Sequence, residues 1–278
     1  MLISHETPLC MLETSHIYNC YDYALVHLLP IYEQYKDFYL NSVKKGRHVL
    51  LDNSIFELGE AYNAEQFAVW VTTLKPTEYI VPDSLENTEK TITSFEAFTR
   101  SFHGLKGKKI GVVQGKTYQE LVECYKFMSD KADKIAISFD YSFYLENCDL
   151  FKSQVCKELG FKETDLNKWS KYALGRLQLL WNLNKDEIFN TSKPHHLLGC
   201  SVPWEFKMLR HFGVRDCIES IDTSNPIVAG MIGAEYDDVF GLKEKWSFKL
   251  VDFINNEVDE RQKLLSYKNI RKFRNLCA

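Results

Sequence analysis

The sequence lacks the patterns that mark membrane proteins, secreted proteins and proteins with a structural zinc site. No apolar run approaches the roughly 20 residues of a membrane-spanning helix. The chain does not open with a basic stretch followed by an apolar one, as a signal peptide does. None of its eight cysteines forms a Cys-x-x-Cys pair, whereas structural zinc sites need clustered ligands. We therefore expect a cytoplasmic protein with reduced thiols, without a membrane partner, a bound metal or another cofactor.

The sequence also lacks the excess of positive charge that is usual for a nucleic-acid-binding domain. Its 34 Lys and Arg residues against 38 Asp and Glu residues give a formal net charge of −4. Basic residues are clustered instead at residues 44–48, 106–109 and 268–274. The first two clusters precede predicted strands, at the end of a barrel that lies away from its active site. Contacts with phosphate are therefore expected from the third cluster, in the C-terminal tail.

Five short apolar segments each end in a polar residue or a glycine. A continuous apolar run is typical of a strand buried on both faces of a parallel sheet. Residues just past the ends of such strands form the active sites of parallel barrels. In this sequence the residues at those positions are Asp52, Asp83, Gln114, Gly199 and Asp222.

The alternation of apolar segments with helical patterns predicts an α/β fold. At 278 residues, we expect a single-domain (β/α)8 TIM-type barrel over residues 1–278, with insertions, a helical C-terminal tail and no zinc subdomain. Strands are expected at residues 8–13, 134–138, 196–198 and 218–221, and others should end at residues 52, 81 and 113. The eighth strand is either 227–231 or 247–251.

Helices are expected at residues 21–42, 64–74, 85–102, 117–128 and 169–183. Thr117 and Glu120 have the spacing of a capping box at the start of one of them. The polar stretch 141–168 reads as a long insertion without structure of its own, and such loops often serve as lids or binding elements. The adjacent His195 and His196 face opposite ways on a strand, so they cannot chelate a metal together.

The order of these segments resembles the tRNA-guanine transglycosylase superfamily, by motif spacing over residues 49–225. The family's Asp-Ser-Gly-Gly-Phe-Gln segment is similar to residues 52–57, and its Val-Gln-Gly-Gly segment to residues 113–116. Its Leu-Met-Gly-Val-Gly-x-Pro segment is similar to residues 197–203, and its Phe-Asp-Cys-Val-x-Pro segment to residues 221–226. The zinc site and the glycine-rich loop of the tRNA-modifying members are missing. The chain is therefore most similar to the phage-encoded enzymes that insert 7-deazaguanines into DNA.

The resemblance implies that guanine in DNA is exchanged for a free 7-deazaguanine base of the preQ0 type. Asp222 would be the nucleophile that bonds covalently to the sugar, as in a retaining glycosidase, with residues 223–225 fixing its orientation. Asp52 would move a proton to the departing base and from the incoming one.

Base recognition is expected from Asp83, whose carboxylate can accept from N1–H and from the amine of guanine. Gln114 would donate to the O6 carbonyl of the base. Further contacts are expected from the backbone of Gly115 or Gly199, from Ser138, and from a ring stacked on the purine, either Phe56 or Tyr79.

Two other functions stay open. The protein could act on tRNA instead of DNA, or it could be a catalytically silent barrel that binds single-stranded nucleic acid through its basic tail. Without the resemblance, the residues alone indicate a barrel with a carboxylate-lined mouth, which suits a glycosidase equally well. The oligomeric state is left open.

Overall fold

Eight parallel strands form the core of the fold in a computed structural model, which describes residues 1–200, 202–238, 241 and 249–278. The strands lie in the order β1-β8-β7-β6-β5-β4-β3-β2, and every paired set is parallel. They are β1 (Leu2–Ser4), β2 (Asp22–Leu25), β3 (Val49–Asp52), β4 (Glu78–Ile80), β5 (Lys108–Val113), β6 (Lys134–Ile137), β7 (His195–Leu197) and β8 (Ile218–Asp222).

The two outer strands of this order approach each other and nearly close the barrel. The backbone N–H of Cys20 donates to the carbonyl of Ile3 at 3.0 Å. The hydroxyl of Ser4 donates to the carbonyl of Tyr21 at 2.7 Å. The predicted (β/α)8 barrel of TIM type is thereby confirmed.

Helices alternate with the strands, and the last of them forms the predicted helical tail. Within the described residues, no helix is both long and apolar enough to cross a bilayer. The α-helices are α1 (Leu12–Ser15), α2 (Glu33–Lys44), α3 (Ile55–Leu58), α4 (Ala64–Leu74), α5 (Thr88–Ser101), α6 (Tyr118–Lys131), α7 (Ser142–Glu146), α8 (Lys152–Leu159), α9 (Lys168–Lys185), α10 (Trp204–Met208), α11 (Asn225–Met231) and α12 (Glu260–Cys277).

Two predicted helix starts are confirmed, and each has a capping residue. Thr117 accepts from the backbone N–H of Glu120, and the Glu120 carboxylate accepts from the N–H of Thr117, so the predicted capping box is present. Helix α4 spans the predicted residues, and the Asn63 side chain caps it. The other predicted strand ends lie within one residue of the observed ones.

Two predictions about the first part of the barrel are wrong. Residues 8–13 are not a strand, because Leu9–Met11 is a 3-10 helix that runs into α1. Their apolar side chains are buried in helical turns. The proposed helix at 21–42 contains β2 and the 3-10 helix Val26–Leu28, and its α-helical part begins only at Glu33. Strands of three or four residues, such as β1 and β2, are too short to show a periodic pattern of apolar residues in the sequence.

The expectations for the eighth strand and for the insertion are also wrong. Residues 227–231 lie in α11. Residues 247 and 248 of the other alternative lie outside the described residues, and Leu250–Phe253 is a 3-10 helix. Residues 141–168 contain α7, α8 and the 3-10 helix Glu163–Asp165, so the insertion has structure of its own.

The basic tail is largely committed to contacts within the protein. Lys268 pairs with Glu235 at 2.7 Å, and Lys272 pairs with Asp238 at 3.0 Å. The guanidinium of Arg274 donates to the carbonyl of Tyr18 at 2.7 Å. Less of the tail's charge is therefore left for phosphate than the sequence suggested.

The amino-terminal end of the barrel holds buried charges in pairs. The ammonium of Lys134, at the start of β6, lies 2.6 Å from the Glu78 carboxylate, and both side chains are buried. His48 approaches Glu78 to 3.3 Å. Burial alone would raise the pKa of Glu78, but the neighbouring His48 and Lys134 outweigh it and hold the pKa at about 2.

We predict that Lys134→Met lowers the free energy of unfolding at pH 7 by about 3–5 kcal/mol, because the buried Glu78 loses its closest ammonium partner. Since the pKa of Glu78 is depressed, its stabilising contribution is complete above about pH 4.5 and is lost as the pH falls towards 2. Urea denaturation should therefore show the difference shrinking in acid. The control Lys131→Met removes a half-exposed ammonium and should change stability by less than about 0.5 kcal/mol. Equal effects of the two variants would contradict the prediction.

Candidate active site

A cavity of about 260 Å³ opens at the carboxyl ends of the strands. Seven of the eight predicted site residues line it: Asp52, Phe56, Asp83, Gln114, Ser138, Gly199 and Asp222. Gly115 does not. A side chain there would come within 2.9 Å of Glu120 and Leu121, so this glycine serves the packing of the loop against α6.

Asp222, the last residue of β8, is held by two hydrogen bonds to one of its oxygens. Nε2 of His196 lies 2.9 Å from Oδ1, and the backbone N–H of Gly199 donates to the same atom at 3.2 Å. The sequence assigned this role to residues 223–225, but the Thr223 hydroxyl accepts from the N–H of Asn225 instead. Asp222 is therefore oriented by the neighbouring strand β7.

Sequence reasoning missed His196, although it contained the signal. Alternation along β7 sends His195 outwards, where its ring stacks on Phe189 at 4.3 Å, and sends His196 into the barrel. Nδ1 of His196 lies 2.9 Å from the hydroxyl of Ser220. A neutral histidine has one donor and one acceptor nitrogen, so the network has Ser220 donating to Nδ1 and Nε2 donating to Asp222.

Glu6 and Asp52 are among the other carboxyl residues that line the cavity with Asp222. Burial, followed by the nearby charges of Asp222, Glu57 and Asp52, raises the pKa of Glu6 well above its usual value. Burial, followed by Glu57, Asp222 and Asp83, does the same to the pKa of Asp52. Asp52 was predicted, whereas Glu6 was missed because the first strand was placed too late in the sequence. The site therefore combines an anchored aspartate with two acids that favour their protonated forms.

Asp83 is the centre of a buried network next to these acids. One carboxylate oxygen accepts from the Asn53 amide, and the other accepts from the Gln114 amide, each at 2.7 Å. The side-chain carbonyl of Gln114 accepts from the backbone N–H of Glu86 at 2.8 Å. Burial raises the pKa of Asp83, and the two amide hydrogen bonds partly offset it. Gln114 was expected to bind the base directly, but in this structure it fixes Asp83.

Aromatic rings and two ammonium groups form the rim of the cavity. The rings of Phe56 and Phe139 lie 5.8 Å apart. Lys249 lies 4.7 Å above the Phe56 ring and donates to the Phe56 carbonyl at 2.7 Å. Lys168 lies 5.5 Å from the ring of Tyr172. Tyr79, the alternative stacking residue, is wrong for that role because it is fully buried and packs against Phe67 and Phe98.

Ser138 lies at the carboxyl end of β6, where its hydroxyl donates to the Asp140 carboxylate at 2.8 Å. Both residues line the cavity. Ser138 is thus the contribution of β6 to the wall, as the sequence predicted for this strand end.

A buried arginine holds the turn after β7 through hydrogen bonds to its backbone carbonyls. Arg176 in α9 makes a two-point ion pair with Glu205, at 2.6 and 2.9 Å. Its remaining N–H groups donate to the carbonyls of Leu198 and Gly199 at 2.9 and 3.1 Å. Because Gly199 in turn donates to Asp222, this clamp contributes to the position of the carboxylate.

Fold and cavity together define a TIM-type barrel with a carboxylate-lined pocket at its carboxyl face. No protein-family model matches the chain, and no curated protein matches it significantly. Among the residues that the structure describes, no group of three or more His, Cys, Asp or Glu side chains is arranged to hold a metal ion. The transglycosylase resemblance stays a prediction.

We predict that Gly199→Ala destabilises the protein more than Gly213→Ala does, by about 1–3 kcal/mol. Both glycines have a positive φ, of 63° and 70°, so both variants bear the strain of a left-handed conformation. Only at Gly199 would the new methyl group meet a neighbour, the Phe139 ring at 2.3 Å; Gly213 has open space. Urea denaturation of the two variants measures the difference, and equal losses would show that the Phe139 contact gives way without cost.

Proposed function

We propose that the protein is a base-exchange transglycosylase that replaces guanine in DNA with a free 7-deazaguanine base of the preQ0 type. The observation that carries the proposal is the single cavity that Asp222, Asp52 and Asp83 share. An anchored carboxylate, a protonated acid and a buried acceptor are the three groups that this reaction needs. The order of the sequence motifs supports the choice of base and of DNA.

In the first step, the Asp222 carboxylate attacks C1′ of the target nucleotide, and the C1′–N9 bond breaks. The electron pair of that bond passes to the guanine ring. Asp52, whose pKa is raised by burial and by neighbouring acids, gives its proton to the departing base. Neutral guanine leaves, and the sugar is held as an ester of Asp222.

In the second step, the incoming base loses its N9 proton to the Asp52 carboxylate and attacks C1′. The bond between C1′ and Asp222 breaks, and its electron pair returns to the carboxylate. His196 and the N–H of Gly199 stabilise the returning charge, because both already point at Oδ1. Asp52 ends protonated as it began, so the exchange consumes no proton.

Asp83 is suited to read guanine. Each carboxylate oxygen can accept more than one hydrogen bond, so the bonds from Asn53 and Gln114 leave acceptor capacity for N1–H and for the amine. Phe56 and Phe139 offer rings for stacking. The ammonium groups of Lys168 and Lys249 at the mouth suit the phosphates of a nucleotide, which a chain with a net charge of −4 otherwise repels.

The decisive experiment supplies the purified protein with labelled guanine or 7-cyano-7-deazaguanine and, separately, with DNA or tRNA. Label entering DNA supports the proposal. Label entering only tRNA would replace it with the tRNA-modifying activity. Binding of DNA without any exchange would favour the silent barrel.

We predict that Asp222→Asn lowers the exchange rate by a factor of about 10⁴ or more. Asparagine keeps an oxygen for His196 and Gly199 but cannot form the sugar ester. A covalent protein–DNA adduct, seen on denaturing gels with a slow incoming base, should form with the wild type and disappear in this variant. Asp216→Asn, an exposed aspartate, is the matched control. An adduct that persists in Asp222→Asn but is lost in Asp52→Asn would reverse the two roles.

We predict that Asp83→Asn weakens binding of the free base by about 1–3 kcal/mol, because a donor then faces the N1–H of the base. Calorimetry with 7-cyano-7-deazaguanine measures the loss. The nucleophile is untouched, so the adduct should still form at saturating DNA. The exposed Asp216→Asn serves as the control and should bind the base like the wild type. Unchanged binding in Asp83→Asn would remove Asp83 from base recognition.

A further inference from the structure

A row of four neighbouring aromatic rings lines part of the cavity. The ring centroids of Phe56 and Phe139 lie 5.8 Å apart, those of Phe139 and Tyr172 6.4 Å, and those of Tyr172 and Trp169 5.8 Å. The two middle residues, Phe139 and Tyr172, are buried. At the ends of the row, Phe56 is 39% exposed and Trp169 is half-buried. Ring surface is therefore accessible at both ends of this aromatic row.

An ammonium group lies over each end of the aromatic row. Lys249 lies 4.7 Å from the centroid of the Phe56 ring. Lys168 lies 5.8 Å from the ring of Trp169 and 5.5 Å from that of Tyr172. Lys168 and Trp169 are the first two residues of α9. Each end of the row thus combines a ring on which a base can stack with a cation that suits a phosphate.

The two ends differ in how far their ammonium groups are already engaged. Lys249 donates to the backbone carbonyls of Phe56 and Glu57, at 2.7 and 3.3 Å. Lys168 is exposed, and its ammonium lies over the faces of two rings. An ammonium has three N–H donors, and a ring face leaves them available to a phosphate. The end at Trp169 is therefore the better place for a nucleotide.

The charges around the cavity favour one strand of nucleic acid over two. Among the described residues that line it, the cations are Lys168 and Lys249, and the acids are Glu6, Asp52, Glu57, Asp83, Asp140 and Asp222. A duplex carries one negative charge per roughly 1.7 Å of its axis, twice as many as one strand. The acidic mouth therefore repels a duplex more than a single strand, whose few nearby phosphates can lie beside the two ammonium groups.

The depth of the acids also favours an unpaired strand. Asp52 and Asp222 are the last residues of β3 and β8, and both are buried. A base inside a duplex reaches such a site only after it has been extruded, and this costs least when the strand is already unpaired. Bases within a duplex are stacked on both faces, so a paired neighbour of the target has no face left for Trp169.

We propose that the substrate is an unpaired DNA strand, in which a base next to the target guanine stacks on Trp169 and its phosphate lies beside Lys168. The identity of the target as guanine in DNA rests on the proposed function. Stacking on an aromatic ring tolerates any base, so this contact adds affinity without selecting a sequence. Trp169 and Lys168 thus bind the flanking nucleotide, while the acids of the cavity act on the target.

The first test compares single-stranded with double-stranded DNA in the absence of any reaction. The purified protein is titrated into a short fluorescein-labelled strand that contains one guanine, either alone or annealed to its complement. We expect the single strand to bind at least about 10-fold more tightly, because its bases are free to stack and its charge density is lower. Equal affinities, or tighter binding of the duplex, would overturn the inference.

The second test removes the ring. Trp169→Ala should weaken binding of the single strand about 5- to 100-fold, whereas Trp169→Phe keeps a ring and should retain most of the affinity. Trp181→Ala is the matched control. Trp181 lies in the same helix with Lys185 5.0 Å from its ring, but it packs against Phe151 and is not among the residues that line the cavity. Unchanged binding in Trp169→Ala, or an equal loss in Trp181→Ala, would contradict the stacking.

The third test locates the stacked base. An abasic nucleotide is placed on one side or the other of the guanine in the single strand. At one of these positions it should weaken binding to the wild type but not weaken binding to Trp169→Ala any further, because the same contact is lost in both cases. Losses that add independently at both positions would show that no flanking base stacks on Trp169.

The fourth test measures the phosphate contact through its dependence on salt. Lys168→Ala should reduce the slope of log Kd against log salt concentration by about 0.7, the value for one phosphate of a single strand. Lys185→Ala, which removes the cation beside Trp181, should leave the slope unchanged. A slope unaffected by Lys168→Ala would remove this residue from phosphate binding.

These measurements distinguish failure of the inference from failure of the proposed function. If the protein transfers no base into DNA or tRNA, the proposed function is wrong, and the titrations still decide whether an unpaired strand occupies the aromatic row. If label enters duplex DNA as fast as it enters single-stranded DNA, the proposed function holds and the inference is wrong.

Discussion

Burying several carboxyl groups in one cavity is the constraint on which the rest of this site depends. Charged carboxylates in a low-dielectric pocket repel one another and lose their hydration, so each needs donors or a proton. Asp222 has donors in His196 and Gly199, and Asp83 has them in two amides. Asp52 lies in surroundings that favour the proton. Because their surroundings differ, the carboxyl groups of one pocket differ in their affinity for a proton.

The two ends of the barrel handle charge in opposite ways. At the amino-terminal end, the buried ammonium of Lys134 lies against the carboxylates of Glu78 and Glu219. At the carboxyl end, several acids line one cavity, where burial and neighbouring charges raise the pKa values of Glu6 and Asp52. The Arg176–Glu205 ion pair is buried like the charges at the amino-terminal end, but Arg176 also binds the turn that contains Gly199, at the carboxyl end. The division agrees with the separation of stability and function between the faces of such barrels.

The predictable parts of the molecule are those in which a local signal decides the structure. The capping box at Thr117 and the apolar periodicity of α4 are local, and both were located from sequence. Strands β1 and β2 were not located from sequence. Three or four residues are too few to show an apolar pattern, and such strands depend on pairing with partners that are distant in the sequence. Because Glu6 follows β1, it was not located as a residue of the cavity. Sequence reasoning considered His196 only as a metal ligand together with His195, rejected that role, and did not consider it as a hydrogen-bond partner of Asp222.

The sequence by itself determined that Asp52, Asp83, Gln114 and Asp222 would meet. Each ends a buried apolar strand, and the carboxyl ends of parallel strands converge at one face of a barrel. Only the tertiary structure decided which atoms these side chains bind. In it, the Gln114 amide donates to Asp83, and Asp222 forms a hydrogen bond with His196. It also decided which acids favour a proton, because a pKa depends on burial and on distances between charges that exist only once β1 has paired with β8.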